Sequence, residues 1–201
     1  MVRILLDLDG LGWTLCSEAV LVWMRQREIE KARFGASKAG IAGSQQPGNA
    51  DLPKQGETPT GTFKRLRDTT TARMTYTLGG GCEELIVTSA YLPYDSNEPP
   101  PSKELRDIVE YSELKEKQLI IGCDANAHHI LWGSTDINPR EQCLMEYLVC
   151  SKLNIPNQGN ETTFVVCKRQ EVIDLTLGTN KIGNLISNWH VSDEPSISDH
   201  R

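Results

Sequence analysis

The stretch "QLIIGCDANAHH", residues 118–129, constrains this chain more than any other. Four residues of strand-forming, mostly apolar character run into a glycine. A carboxylate, an amide and two imidazoles then follow within six positions. An apolar run of this length with no polar alternation reads as a strand covered on both faces. Such a strand needs layers above and below it, so a single bundle or a one-faced sheet is excluded. The polar residues fall where the strand must end, which is where open α/β sheets collect their functional groups.

The flanking segments supply the layers. "TARMTYTL" alternates like a strand, "GGG" at 79–81 suits a turn, and "CEELIVTSAYLP" reads as a second, antiparallel strand. The prolines of "YDSNEPPP" break the chain. Ser102 then caps a helix through "KELRDIVEYSELKEK", with Leu105, Ile108, Val109 and Ser112 facing inward. "NPREQCLMEYLVCSKL" holds another helix, with Leu144, Tyr147, Leu148 and Ser151 on one side. "TTFVV", "EVIDLTLG" and "LISNWHVSD" read as three further strands. Strands interleaved with helices predict an α/β (α+β) domain over residues 67–201.

The first third differs. Residues 1–34 open on "VRILLDLDG" and continue into a segment with helical spacing from Ser17, with Val22, Ile29 and Phe34 on one face. Residues 35–66 are rich in Gly, Pro, Ser and Gln without periodicity, the composition of a flexible linker. Apolar residues make up 38% of the chain, consistent with part of it standing outside a core.

The formal net charge is −6, so there is no broad basic footprint for nucleic acid. Binding of a phosphate through a metal held by acids stays compatible with that charge. No run approaches a membrane span, so no membrane partner is expected. The six cysteines form no C-x-x-C pair and are read as reduced, mostly buried thiols of an intracellular protein. Trp132 and Trp189 are read as packing residues. His128 and His129 are loop histidines that pack or face solvent, with contact to nucleic acid as the alternative.

Four short elements mark strand ends: "AYLP" with Tyr91, "GCDAN" with Asp124 and Asn126, "VIDLT" with Asp174, and "SDH" with Asp199 and His200. In this order they resemble the endonuclease/exonuclease/phosphatase family. The wording of "IIGCDANAHHILWGSTDINPR" and "VIDLTLGT" is similar to the endonuclease domains of arthropod non-LTR retrotransposons. The resemblance implies a partial four-layer α/β sandwich of the deoxyribonuclease I type and a divalent-metal-dependent hydrolase that cleaves phosphodiesters of DNA. It implies that Asp124 activates the attacking water and Asn126 holds the phosphate. His200 would bind a phosphoryl oxygen, and Asp199 would fix the His200 tautomer and reach a metal. Asp174 would lie near the leaving group, and Tyr91 would bond the phosphate. The implied cofactor is Mg2+ or Mn2+, the implied partner is DNA, and a working protein would be expected in the nucleus, although no basic targeting cluster is visible.

Two departures qualify those expectations. The family's opening strand ending in Asn, and the strand carrying its metal-binding Glu, have no counterpart in residues 1–66, and the chain stops one residue after His200. The domain is therefore expected to be incomplete at both ends. A remnant that binds DNA or protein without cleaving, and a phosphatase of the same fold, remain the alternatives.

Overall fold

The structure, a computed structural model, describes residues 2–5, 63–65, 68–78, 81–167, 169–183, 186, 188–191 and 199–200. All elements below belong to one unit, Met1–Cys16 with Thr60–Arg201; the other unit, Ser17–Pro59, lies outside the described residues. The helix expected from Ser17, most of the expected linker and the first two glycines of the 79–81 turn lie outside them as well.

The frame is a six-stranded sheet in the order β2-β3-β4-β5-β9-β6. β2 is Phe63–Arg65, β3 Thr69–Leu78, β4 Gly81–Tyr91 and β5 Gln118–Asp124. β6 is Leu153–Asn154 and β9 Asp174–Thr179. β3 and β4 form the expected antiparallel pair, ten residues in register from Thr69↔Ala90 to Leu78↔Gly81. β2 sits at the end of the segment read as linker. Its Phe63 pairs with Ala72, so a bonding edge captures residues that have no periodic signal of their own.

β4 and β5 are parallel, which requires a crossover. The helix α1, Lys103–Leu114, supplies it. Ser102 caps α1 by accepting a hydrogen bond from the Leu105 amide at 3.4 Å. Leu105, Val109 and Ser112 face the sheet and are buried. The second helix, α2, Pro139–Cys150, starts with Asn138 as cap and proline in its first turn, and buries Leu144 and Leu148.

β5 decides the layering. Leu119, Ile121 and Cys123 pack with Ile86, Leu105, Val109, Leu144, Leu148, Leu175 and Leu177 on the helix side. Ile120 points the other way, into Leu85, Ile182, Ile186, Trp189 and Val191. Ile182 comes from the short helix α3, Asn180–Gly183. Trp189 and Val191 come from β10, Asn188–Val191, which pairs antiparallel with β1, Val2–Leu5. The strand is therefore covered on both faces, as its sequence demands. The opening "VRIL" is a strand.

A small antiparallel pair, β7 (Phe164–Val166) with β8 (Arg169–Glu171), completes the described elements. Trp132 and Trp189 are buried packing residues, and the Trp189 indole donates to Thr176 Oγ1 at 3.0 Å. The reading of mostly buried thiols is corrected. Among the four cysteines described as free, Cys123 alone is buried and Cys150 and Cys167 are exposed. Cys150 ends α2 and Cys167 occupies the β7–β8 turn at φ 53°, positions that face away from the sheet. No helix among the described residues is long and apolar enough to cross a membrane.

Candidate active site

The expected residues arrive at one sheet edge because three strands end in register. Tyr91 closes β4 opposite Asp124, and Asp124 closes β5 opposite Asp174 at the start of β9. The backbone holds this corner: the Leu92 amide donates to Asp124 O at 2.9 Å and the Ala125 amide to Ile173 O at 2.8 Å.

Beyond Asp124 the chain turns sharply. Asn126 adopts φ 47°, a left-handed conformation that Asn tolerates better than most residues. The turn brings its amide back, so Nδ2 donates to Asp124 Oδ1 at 2.8 Å and to Leu92 O at 3.3 Å. One carboxylate oxygen of Asp124 is thereby fixed.

His200 comes from the far end of the sequence. It is delivered by β7: Phe164 and His200 form an antiparallel bridge, and the Val165 amide donates to Asp199 O at 2.8 Å. The Phe164 ring lies edge-on to the imidazole with centroids 5.0 Å apart. Nδ1 of His200 lies 2.9 Å from Asp174 Oδ2, and its Nε2 lies 3.8 Å from Asp124 Oδ2. A carboxylate accepting from Nδ1 selects the tautomer with that proton and aims Nε2 at Asp124. All three side chains are partly open, at 21% exposed for His200, 14% for Asp124 and 13% for Asp174.

The imidazole partner thus differs from the expected one. Asp174 bonds Nδ1, whereas Asp199 is exposed and meets this corner through its backbone. The reason is alternation: neighbours along a bridged segment point to opposite sides, so Asp199 and His200 cannot both face the sheet edge. Asp174 itself is rigidly seated. Thr163 Oγ1 accepts from the amides of Ile173 and Asp174 at 3.1 Å each, and Asn157 Nδ2 donates to Asp174 O at 3.1 Å.

Three residues escaped the sequence reading. Thr163 and Asn157 carry no motif and act by backbone hydrogen bonds across the fold. Arg140, in the first turn of α2, reaches back so that Nη2 donates to Leu92 O at 3.2 Å. Burial pushes its guanidinium pKa down, while the charge of Asp124 and then Tyr91 pulls it up. Its Nε is buried without a partner among the described residues. The signal available was its place two residues after Asn138, whose side chain caps α2 and also accepts from the His128 amide at 3.2 Å.

Burial, with Asp124 and Asp174 alongside, pushes the Cys123 thiol up, so it stays neutral beneath the site. The geometry as a whole is a relay of acceptors and donors, Asp174–His200–Asp124–Asn126, lining one partly open edge. With a proton on each ring nitrogen, His200 can donate from Nε2 to an anion's oxygen, and Asp124 Oδ2 can take a proton.

Comparison with known proteins identifies the family. The chain is similar to the endonuclease domain of TRAS1, a telomere-specific non-LTR retrotransposon, at 29% identity and TM-score 0.55. The match covers 66% of this chain and 60% of that one, so this chain spans less than two thirds of that domain. Weaker likenesses include the human Nocturnin catalytic domain, at 12% identity, TM-score 0.37 and coverage of 60% and 47% of the two chains. A mannosyl-6-phosphatase of Bacteroides thetaiotaomicron follows at 9% identity, TM-score 0.35 and coverage of 56% and 43%. No curated protein matches the sequence. Residues 85–201, more than half of the chain and every residue of the site just described, match the profile of the endonuclease-reverse transcriptase family, and the chain belongs to that family.

Proposed function

We propose that this protein is a metal-dependent hydrolase of phosphodiesters whose substrate is DNA. The observation that carries the reading is the gathering of Asp174, His200, Asp124 and Asn126 at one partly open edge. The likeness to a retrotransposon endonuclease domain supports DNA as the polymer.

Hydrolysis of a phosphodiester needs an activated water and stabilisation of the charge that develops on the phosphoryl oxygens. Asn126 occupies Oδ1 of Asp124, leaving Oδ2 as the base that takes a proton from a water. Asp174 holds the His200 ring so that Nε2, when it too carries a proton, donates to a phosphoryl oxygen. The 3.8 Å between Nε2 and Asp124 Oδ2 leaves the water and the phosphate adjacent, which is the proximity such a reaction requires. Tyr91 closes the neighbouring strand beside Asp124, placed to bond the same phosphate. Arg140 brings a positive charge to an edge otherwise dominated by acids.

The resemblance implies Mg2+ or Mn2+. The carboxylate oxygens of Asp124 and Asp174 at this edge are the hard ligands those ions take. When bound, the ion supplies positive charge to the phosphate and lowers the cost of bringing DNA to an acidic surface. Action on chromosomal DNA places the working protein in the nucleus.

Nicking of supercoiled plasmid with Mg2+ tests the proposal, beside Asp124→Ala and His200→Ala. Nicking that is abolished by EDTA and in both variants supports it. Plasmid held on a filter but left uncut identifies a binding protein, and phosphate released from a monoester while plasmid survives identifies a phosphatase; either result overturns the proposal.

A further inference from the structure

A second polar cluster hangs from the same loop as Asn126. His128 is 6% exposed and Glu171, on β8, is 5% exposed. Nδ1 of His128 lies 2.7 Å from Asp136 Oδ1 and 3.8 Å from Glu171 Oε2. One donor atom from each of the three residues falls within 4.8 Å of the others. A carboxylate as covered as that of Glu171 is costly unless a cation compensates it. Arg169 lends that charge: its Nε lies 3.4 Å from Glu171 Oε1, and its Nη2 lies 3.3 Å from His128 Nδ1. Its side chain is 58% exposed, so it is free to swing into solvent.

We propose that His128, Asp136 and Glu171 form a second divalent-cation site, of the Zn2+ or Mn2+ class, which staples the 125–138 loop to β8. One nitrogen and two carboxylate oxygens suit those ions better than the all-oxygen set preferred by Mg2+. The donors come from separate segments, so the ion closes the loop as a cross-link rather than decorating a turn. Asp136 stands at the open side, with 60% of its side chain exposed, which gives the ion an entry path and room for its remaining water ligands. Thr135 Oγ1 donates to Glu171 at 3.2 Å and orients that carboxylate from behind, the kind of support that metal-bound carboxylates have. The ion and the Arg169 guanidinium compete for one place. This site is independent of the proposed cleavage, because neither Asp124 nor Asp174 contributes to it.

The test uses the whole 201-residue chain carrying Asp124→Asn, stripped of metal with EDTA and with accessible thiols blocked by iodoacetamide. Zn2+ is titrated by calorimetry, with Mg2+ as the comparison, and unfolding is followed by heating. One Zn2+ per chain is expected, not displaced by equal Mg2+, with a rise of roughly 5 °C in the unfolding midpoint at saturation. Asp136→Asn, a surface change that leaves the fold intact, weakens binding about tenfold or more, and Arg169→Gln tightens it about tenfold by removing the competing charge. Equal Zn2+ affinity in the parent, Asp136→Asn and Arg169→Gln proteins overturns the proposal, as does no binding in any of them. In either case the cluster is an ion-pair network only.

Discussion

Two polar clusters grow from the end of β5, and they are built differently. At the strand tip, Asp124, Asp174 and His200 keep 13–21% of their side chains open. In the second, His128 and Glu171 are almost fully covered; His128 spends its hydrogen bonds on Asp136 and Arg169, and Glu171 on Thr135 and Arg169. Burial with internal partners holds a chain in place. Partial exposure with partners on only one side leaves capacity for a ligand. In the proposed reaction the first cluster acts, while the second holds the loop that carries Asn126.

The contrast predicts that activity and stability separate by cluster. The largest effect is Asp124→Asn, which lowers plasmid nicking by about 10³–10⁴-fold while the urea midpoint barely moves. A parallel loss of stability would erase the distinction. Next, Asp174→Asn and His200→Gln each lower nicking by about 10²–10³-fold, and the double variant is no worse than the weaker single, because the two residues act as one unit. Multiplicative losses in steady-state rates would separate their roles.

On the other side, Glu171→Ala leaves the His128 cluster unbalanced. It costs on the order of 3 kcal/mol in urea unfolding, with nicking per folded molecule kept within a factor of a few. Gly133→Ala tests the same loop through its backbone. Gly133 sits at φ 93°, and an added Cβ would stand 2.9 Å from Asn160 Cα, so a loss of about 2 kcal/mol is expected.

The smallest effect concerns pH. The folded Cys123 thiol has a raised pKa, so its unfolded form loses its proton first as pH rises. The stability it contributes is whole below the unfolded thiol value and declines above about pH 8.5, by at most about 1.4 kcal/mol per pH unit. Cys123→Ala should flatten that decline in unfolding measured between pH 8 and 10. Native Cys123 should also resist iodoacetamide while Cys150 and Cys167 react.

Much of this was legible in residue order. The unbroken apolar run before Asp124 required a strand covered on both faces, since no alternation left a side for water, and the core packs it so. Ser102 announced the first long helix, because a cap is a local hydrogen bond between near neighbours. Tyr91, Asp124, Asn126, Asp174 and His200 were nameable because strand ends are where a layered sheet exposes polar groups. Tertiary structure alone decided which of them touch. The exchange of Asp199 for Asp174 on the imidazole depends on how residues 199–200 bridge to β7, where Phe164 meets His200 from far away in sequence. The support from Thr163, Asn157 and Arg140, and the gathering of His128, Asp136 and Glu171, follow from the same cause. Sequence carries the periodicity and the caps, which are local. Partners that meet across strands are chosen by register and side-chain direction, and those exist only once the sheet has closed.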